Sequence, residues 1–202
     1  MWFIPVMILN SCRSKMLPLL LALIACFVSS GADADDVSVQ ANSLEERFHI
    51  GKYSFSEVRK IWTSELIAPF AEAFRMFPTL HECGFQNQVN DHLRWERFVT
   101  KPQIQVCLFH LAGHLRTPDA LSNWFASKGF SSQFQDDFGQ YPSEKPITVH
   151  ASINSKSDHA PDLSNLRIPH ANVTFRSISI GIKFSREGAP YSSNVTVRWE
   201  WK

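Results

Sequence analysis

Glycine is scarce in this chain, with eight in 202 residues, and no two of them stand where a phosphate-binding loop needs them. Without G-x-G-x-x-G or G-x-x-x-x-G-K-[ST], the two common backbone cradles for nucleotide phosphates are excluded. G-x-S-x-G is missing, so the strained nucleophile turn of α/β-hydrolases has no support. H-E-x-x-H is missing as well. An excess of either charge is also lacking: 20 Lys and Arg stand against 19 Asp and Glu, with no long run of one sign. That argues against a nucleic-acid footprint and against a polybasic membrane surface. There is no internal repeat and no low-complexity tract. No cofactor is expected.

A spanning apolar segment of about 20 residues is lacking too. What stands near the N-terminus is shorter. Arg13 and Lys15 precede Met16–Val28, thirteen residues without a charge, and Ala32-Asp33-Ala34 follows. Positive residues, an apolar run and small-x-small form the pattern of a cleaved export signal. The expectation is a signal over 1–34, with Met1 or Met16 as the start, and a periplasmic or secreted product. Leu23-Ile24-Ala25-Cys26 resembles a lipobox, so a lipoprotein anchored at Cys26 is the alternative. An uncleaved segment would tether the chain to the membrane by the same stretch. Cleavage after Ala34 leaves 168 residues, with Lys and Arg equal in number to Asp and Glu. That length suits one domain.

Four cysteines are present, and Cys83 and Cys107 lie beyond the signal. In an oxidising compartment the simplest reading is a disulfide between them. Two buried free thiols are the alternative.

Residues 35–51 read as a polar leader, partly disordered, with a single α+β domain over 52–202. Ser54 and Glu57 form a capping box. Val58, Ile61, Trp62, Leu66, Phe70, Phe74 and Phe77 then recur at helical spacing. Pro69 should kink or break that helix, and Pro78 should end it. A second helix is expected over Gln86–Phe98. Gln103–Phe109 alternates like a strand, yet the residues after it continue equally well as a helix. Thr117 as cap, Pro118 at the first position and Gly129 as terminator bound a clear helix. Beyond it the period falls to two. Strands are expected over 131–138 and 147–153, a polar loop over 155–169, and a long hairpin from Ala171–Phe184 and Tyr191–Trp201. Val173 and Phe175 are out of phase with Ile178, which predicts a bulge near Ser177. Helices first and strands last predict N-terminal helices packed on one face of a C-terminal antiparallel sheet of three to five strands.

Candidate chemistry is thin. His110 and His114 are four apart and would share a helix face with Cys107, a possible zinc set, although a disulfide would withdraw Cys107. His81-Glu82-Cys83 offers a thiol beside a histidine. Asp136 and Asp137 are adjacent acids, which point apart on an extended chain. Asn172-Val-Thr174 and Asn194-Val-Thr196 match the N-glycosylation pattern. The C-terminal hairpin would present Arg176, Lys183, Arg198 and Glu200 among serines and threonines, a face or edge able to take a protein partner. These features favour an exported, non-catalytic binding or structural module acting on a protein in the cell envelope or outside. The alternative is a small exported hydrolase using one of His81, His92, His110 or His114. The intact mass of the protein from its native compartment tests the export reading. The expected chain begins at Asp35, and a lipid-modified Cys26 would replace the soluble form by an anchored one.

Overall fold

Two hydrophobic periods lay down the architecture, three-to-four in the first half of the domain and two in the second. The computed structural model describes residues 46–50, 53–85, 92–136, 147–167 and 172–201, all within the compact unit Ala41–Lys202. The fold is α+β. In chain order the elements are β1 (His49–Ile50), β2 (Tyr53–Ser54), α1 (Phe55–Ile61), α2 (Ser64–Met76), a single 3-10 turn (Trp95–Arg97), α3 (Lys101–Leu115), α4 (Pro118–Ser127), β3 (Ser131–Asp136), β4 (Ile147–Asn154), β5 (Val173–Phe184) and β6 (Pro190–Trp201).

Among the described residues the sheet has six strands, in the order β2-β1-β6-β5-β4-β3. Its pairings are antiparallel except β1 with β6, which is parallel. The expected antiparallel sheet of three to five strands is thus corrected to a mixed sheet of six, and the helices are not all N-terminal. The two added strands are two residues each, too short for any alternation to show. They also move the start of the fold. Phe48, placed by the sequence in a polar leader, is fully buried, its ring 5.4 Å from Phe74 and 5.1 Å from Phe109.

Helix α1 begins as expected. Ser54 caps it, and the Glu57 carboxylate accepts the Ser54 backbone N–H at 2.8 Å. The break before α2 falls at Trp62 and Thr63, both extended, and Pro69 lies inside α2. Pro69 and Glu65 are both exposed. The Glu65 carbonyl left without its helical donor therefore faces water, and proline is tolerated there.

Gln103–Phe109 is helical, within α3. Pro102 occupies its first turn, and Gln103 Oε1 accepts the N–H groups of Val99 and Thr100 at 2.6 and 3.0 Å. The expected helix over Gln86–Phe98 is not found where the chain is described (86–91 lie outside). His92–Arg94 is irregular and a 3-10 turn follows. Its donors go elsewhere: Arg94 N–H to the Cys83 carbonyl at 3.2 Å and Arg97 Nη1 to the Glu82 carbonyl at 2.7 Å. Leu93 and Phe98 are both buried, so the segment is spent on anchoring the Cys83 turn.

Helix α4 ends in a Schellman motif. Gly129 has φ +80, its N–H reaches the Ala126 carbonyl at 3.0 Å, and the Phe130 N–H reaches that of Phe125 at 3.0 Å. The Phe125 and Phe130 rings then meet at 5.3 Å. The β5–β6 hairpin forms with its bulge between Phe175 and Ser177.

Helices α3 and α4 cover the sheet face carrying Val149, Ala151, Ile178, Ile180, Ile182, Val195 and Val197, all buried. Cys83 and Cys107 form a disulfide, Cα atoms 5.6 Å apart, that ties the turn after α2 to the middle of α3. Closing a loop of sequence separation 24 should contribute roughly 3 kcal/mol through the unfolded state. The double variant Cys83→Ala, Cys107→Ala should lose about that much in denaturant titrations. A loss well under 1 kcal/mol would show that the bridge constrains little.

Candidate functional site

The face of β3–β6 turned away from the helices mixes short hydroxyl side chains with a few long polar and charged ones. Strand alternation puts Ser177, Ser179, Gly181 and Lys183 of β5 opposite the isoleucine stripe. Register then extends them sideways. Ser179 pairs with Ser152 on one side and Thr196 on the other, and Ser152 pairs with Ser131. The resulting row, Ser131–Ser152–Ser179–Thr196, crosses four strands, and all four residues are exposed. With strands about 4.8 Å apart it spans roughly 14 Å. The neighbouring row is Gln133–His150–Gly181–Asn194. The His150 imidazole lies over Gly181, where a Cβ would meet its Cε1 at 3.5 Å, an ordinary van der Waals contact. The third row differs. Thr148 and Ser192 are buried, and Ser192 lies in register with His49, whose ring meets that of Tyr191 at 5.4 Å. Partial burial lowers the pKa of His49, against an opposing pull from Glu57.

Arg176, Lys183, Arg198 and Glu200 do not form one cluster. Arg176 sits at the bulge and Arg198 pairs with the adjacent Ser177, so the two guanidinium groups share one end of the face, both exposed, with Glu200 two residues further along β6. Lys183 pairs with Ser192, six residues from Ser177 and therefore roughly 20 Å away. The hydroxyl rows and His150 between them were not picked out from the sequence. A glycine inside a strand pattern, Gly181, was the available signal.

The histidine and cysteine candidates are distributed differently. Cys107 is in the disulfide and supplies no thiolate. His110 and His114 lie one turn apart on α3 as expected, but in unlike surroundings. His114 is exposed, its ring 5.4 Å from Phe85. His110 is buried, with Nε2 2.9 Å from the Phe77 carbonyl. A carbonyl only accepts, so Nε2 carries the proton. Phe77 is the C-cap of α2, and His110 thus satisfies a carbonyl that the end of the helix leaves open. Among the described residues no group of three or more His, Cys, Asp and Glu is placed to hold a metal ion. Glu82 is engaged locally. Its carboxylate accepts from the Thr79 N–H and hydroxyl. Partial burial raises its pKa, but these bonds outweigh that and leave it below the ordinary carboxylate value. His81 and His92 are exposed, as are Asn172 and Asn194 of the two glycosylation patterns. Asp137 lies outside the described residues.

No protein-family model matches this chain, and no characterised protein or solved structure shows significant similarity to it. The reading of the site therefore rests on its residues alone.

Burial drives the His110 pKa down to about 4, against the opposing effects of the Phe77 carbonyl and Glu82. The unfolded chain then takes up this proton at higher pH than the folded one. The neutral-histidine contribution is complete above about pH 6.5. It is lost as pH falls towards about 4 and changes no further below that. The shift corresponds to about 3 kcal/mol at most. Denaturant titrations of the parent and of His110→Gln between pH 7 and 4 should show this acid-side slope in the parent and a shallower one in the variant. Equal slopes would assign the pH dependence to other groups.

Proposed function

We propose that this is an exported binding module that recognises a protein partner in the cell envelope or outside through the outer face of β3–β6. The observation that carries the reading is the exposed row Ser131–Ser152–Ser179–Thr196 with Gln133 and Asn194 beside it. Any one-sided antiparallel sheet needs a polar outer face, and a purely solvated one can use long charged side chains. Lysine and glutamate lose up to about 2 kcal/mol of rotamer freedom when immobilised, whereas short hydroxyl side chains lose much less. Ser, Gly and Asn also supply adaptable hydrogen bonding at recognition surfaces. The hydroxyl row, unlike the long side chains elsewhere on this face, is cheap to order against a second surface. Arg176 and Arg198 at one end give it a polarity, and an acidic segment of the partner is the natural match there.

Export is supported by the pattern over 1–34 and by the Cys83–Cys107 bridge, since disulfides persist in oxidising compartments. No helix among the described residues is long and apolar enough to cross a membrane.

A photo-crosslinking amino acid at Thr196 tests the assignment in the native compartment, with the same probe at Glu72, exposed on α2, as the comparison. The expected result is a discrete protein adduct from Thr196 and none from Glu72. Adducts from both sites alike, or from neither, would leave the outer face as ordinary solvated surface.

A further inference from the structure

We infer that the outer edge of β3, which pairs with no further strand among the described residues, docks a second copy of this chain, joined antiparallel across a two-fold axis at Phe134. Strand β3 is the last in the sheet order, and its six residues pair with β4 without a bulge. Natural sheets protect such edges with lysine, proline, bulges or very short strands. Strand β3 contains no lysine and no proline, and its one charged residue, Asp136, stands at its end. The exposed apolar groups of this corner lie at the same place: Phe134 is 49% exposed, and Ile147, paired with Asp136 at the end of β4, is 37% exposed.

A second copy fits this edge for a chemical reason. A two-fold axis perpendicular to the sheet keeps each face continuous, so residues that meet across it must come from the same face. Centred on Phe134, the pairing sets that ring against its own copy and Gln133 against Gln135. It places Asp136 opposite Ser132, so no charged position faces another. Phenylalanine pairs across strands favourably, and the amides of glutamine both donate and accept. The helices permit the approach. Helix α4, which packs on both β3 and β4, is the helix that its own copy would approach. Its exposed positions include Asn123, Ala126 and Ser127, all short.

The inference rests on the strand edge, not on the partner-binding reading of the outer face. Sedimentation equilibrium of the full chain over a concentration series tests it, together with Phe134→Lys, Phe134→Glu and an equimolar mixture of the two. The parent is expected at twice the chain mass. Each variant alone should run as a monomer with an unchanged circular dichroism spectrum, because like charges then face each other on the axis. The mixture should return to twice the chain mass, as one chain of each kind, which variants that merely failed to fold would not do. A parent that is monomeric throughout, a lysine variant that still pairs, or a mixture that stays monomeric overturns the proposal.

Discussion

Helix α3 is surrounded on nearly every side, and the rest of the domain is arranged around that burial. Its residues from Gln103 to Ala112 are all buried except the half-buried Gln105. A helix of this kind must find apolar partners all round, and three sets supply them. Phe48 meets Phe109 and Phe74 meets His110, the sheet packs through β5 and β6, and the disulfide fixes Cys107 to the turn at Cys83. The polar groups brought inside are each given a task. Gln103 caps α3, Gln105 Nε2 donates to the Ser193 carbonyl at 3.1 Å, and His110 takes the open carbonyl of α2. Only Ser193 Oγ, among the buried side-chain atoms described, has no partner. Polar groups buried this deep are acceptable because they are bonded.

The same burial accounts for what could be read beforehand. Helix α4 was legible because it is amphipathic and carries its own punctuation, from Thr117 and Pro118 at one end to Gly129 and Phe130 at the other. The β5–β6 hairpin and its bulge were legible because Ile178, Ile180 and Ile182 alternate with small polar residues and the phase breaks visibly before Ser177. Helix α3 was not resolved, since a helix buried all round shows no stripe and its Gln-Ile-Gln-Val opening imitates a strand. Residues 92–98 misled for the opposite reason. Their apolar spacing suits a helix, but Arg94 and Arg97 spend their donors on the carbonyls of a turn that only the folded chain brings near. Residues β1 and β2 contribute were invisible because two residues hold no period.

For the candidate site the balance is different. The positions of Arg176, Arg198 and Glu200 followed from strand parity, and so did the serines around them. What parity could not supply was register. That Ser131, Ser152, Ser179 and Thr196 line up depends on how four strands slide past one another, and register is set by turns and by the buried side. Ser131 and Thr196 are far apart in the chain and are brought into one row by the packing of isoleucines on the opposite face. The hidden face of the sheet therefore determines the chemistry of the exposed one.

The edge and the outer face are linked by the same geometry. A two-fold axis perpendicular to the sheet at Phe134 leaves both outer faces pointing the same way. The row Gln133–His150–Gly181–Asn194 of one copy would then continue into the row Gln135–Thr148–Lys183–Ser192 of the second, with Gln133 and Gln135 at the seam. Two equal faces on one rigid sheet would bind a repetitive or dimeric partner more tightly than one face could, because the second contact forms at high effective concentration. A partner offering a single site would gain nothing from the pairing. How strongly binding depends on chain concentration therefore distinguishes a module that recognises an extended or repeated surface from one that recognises a lone epitope.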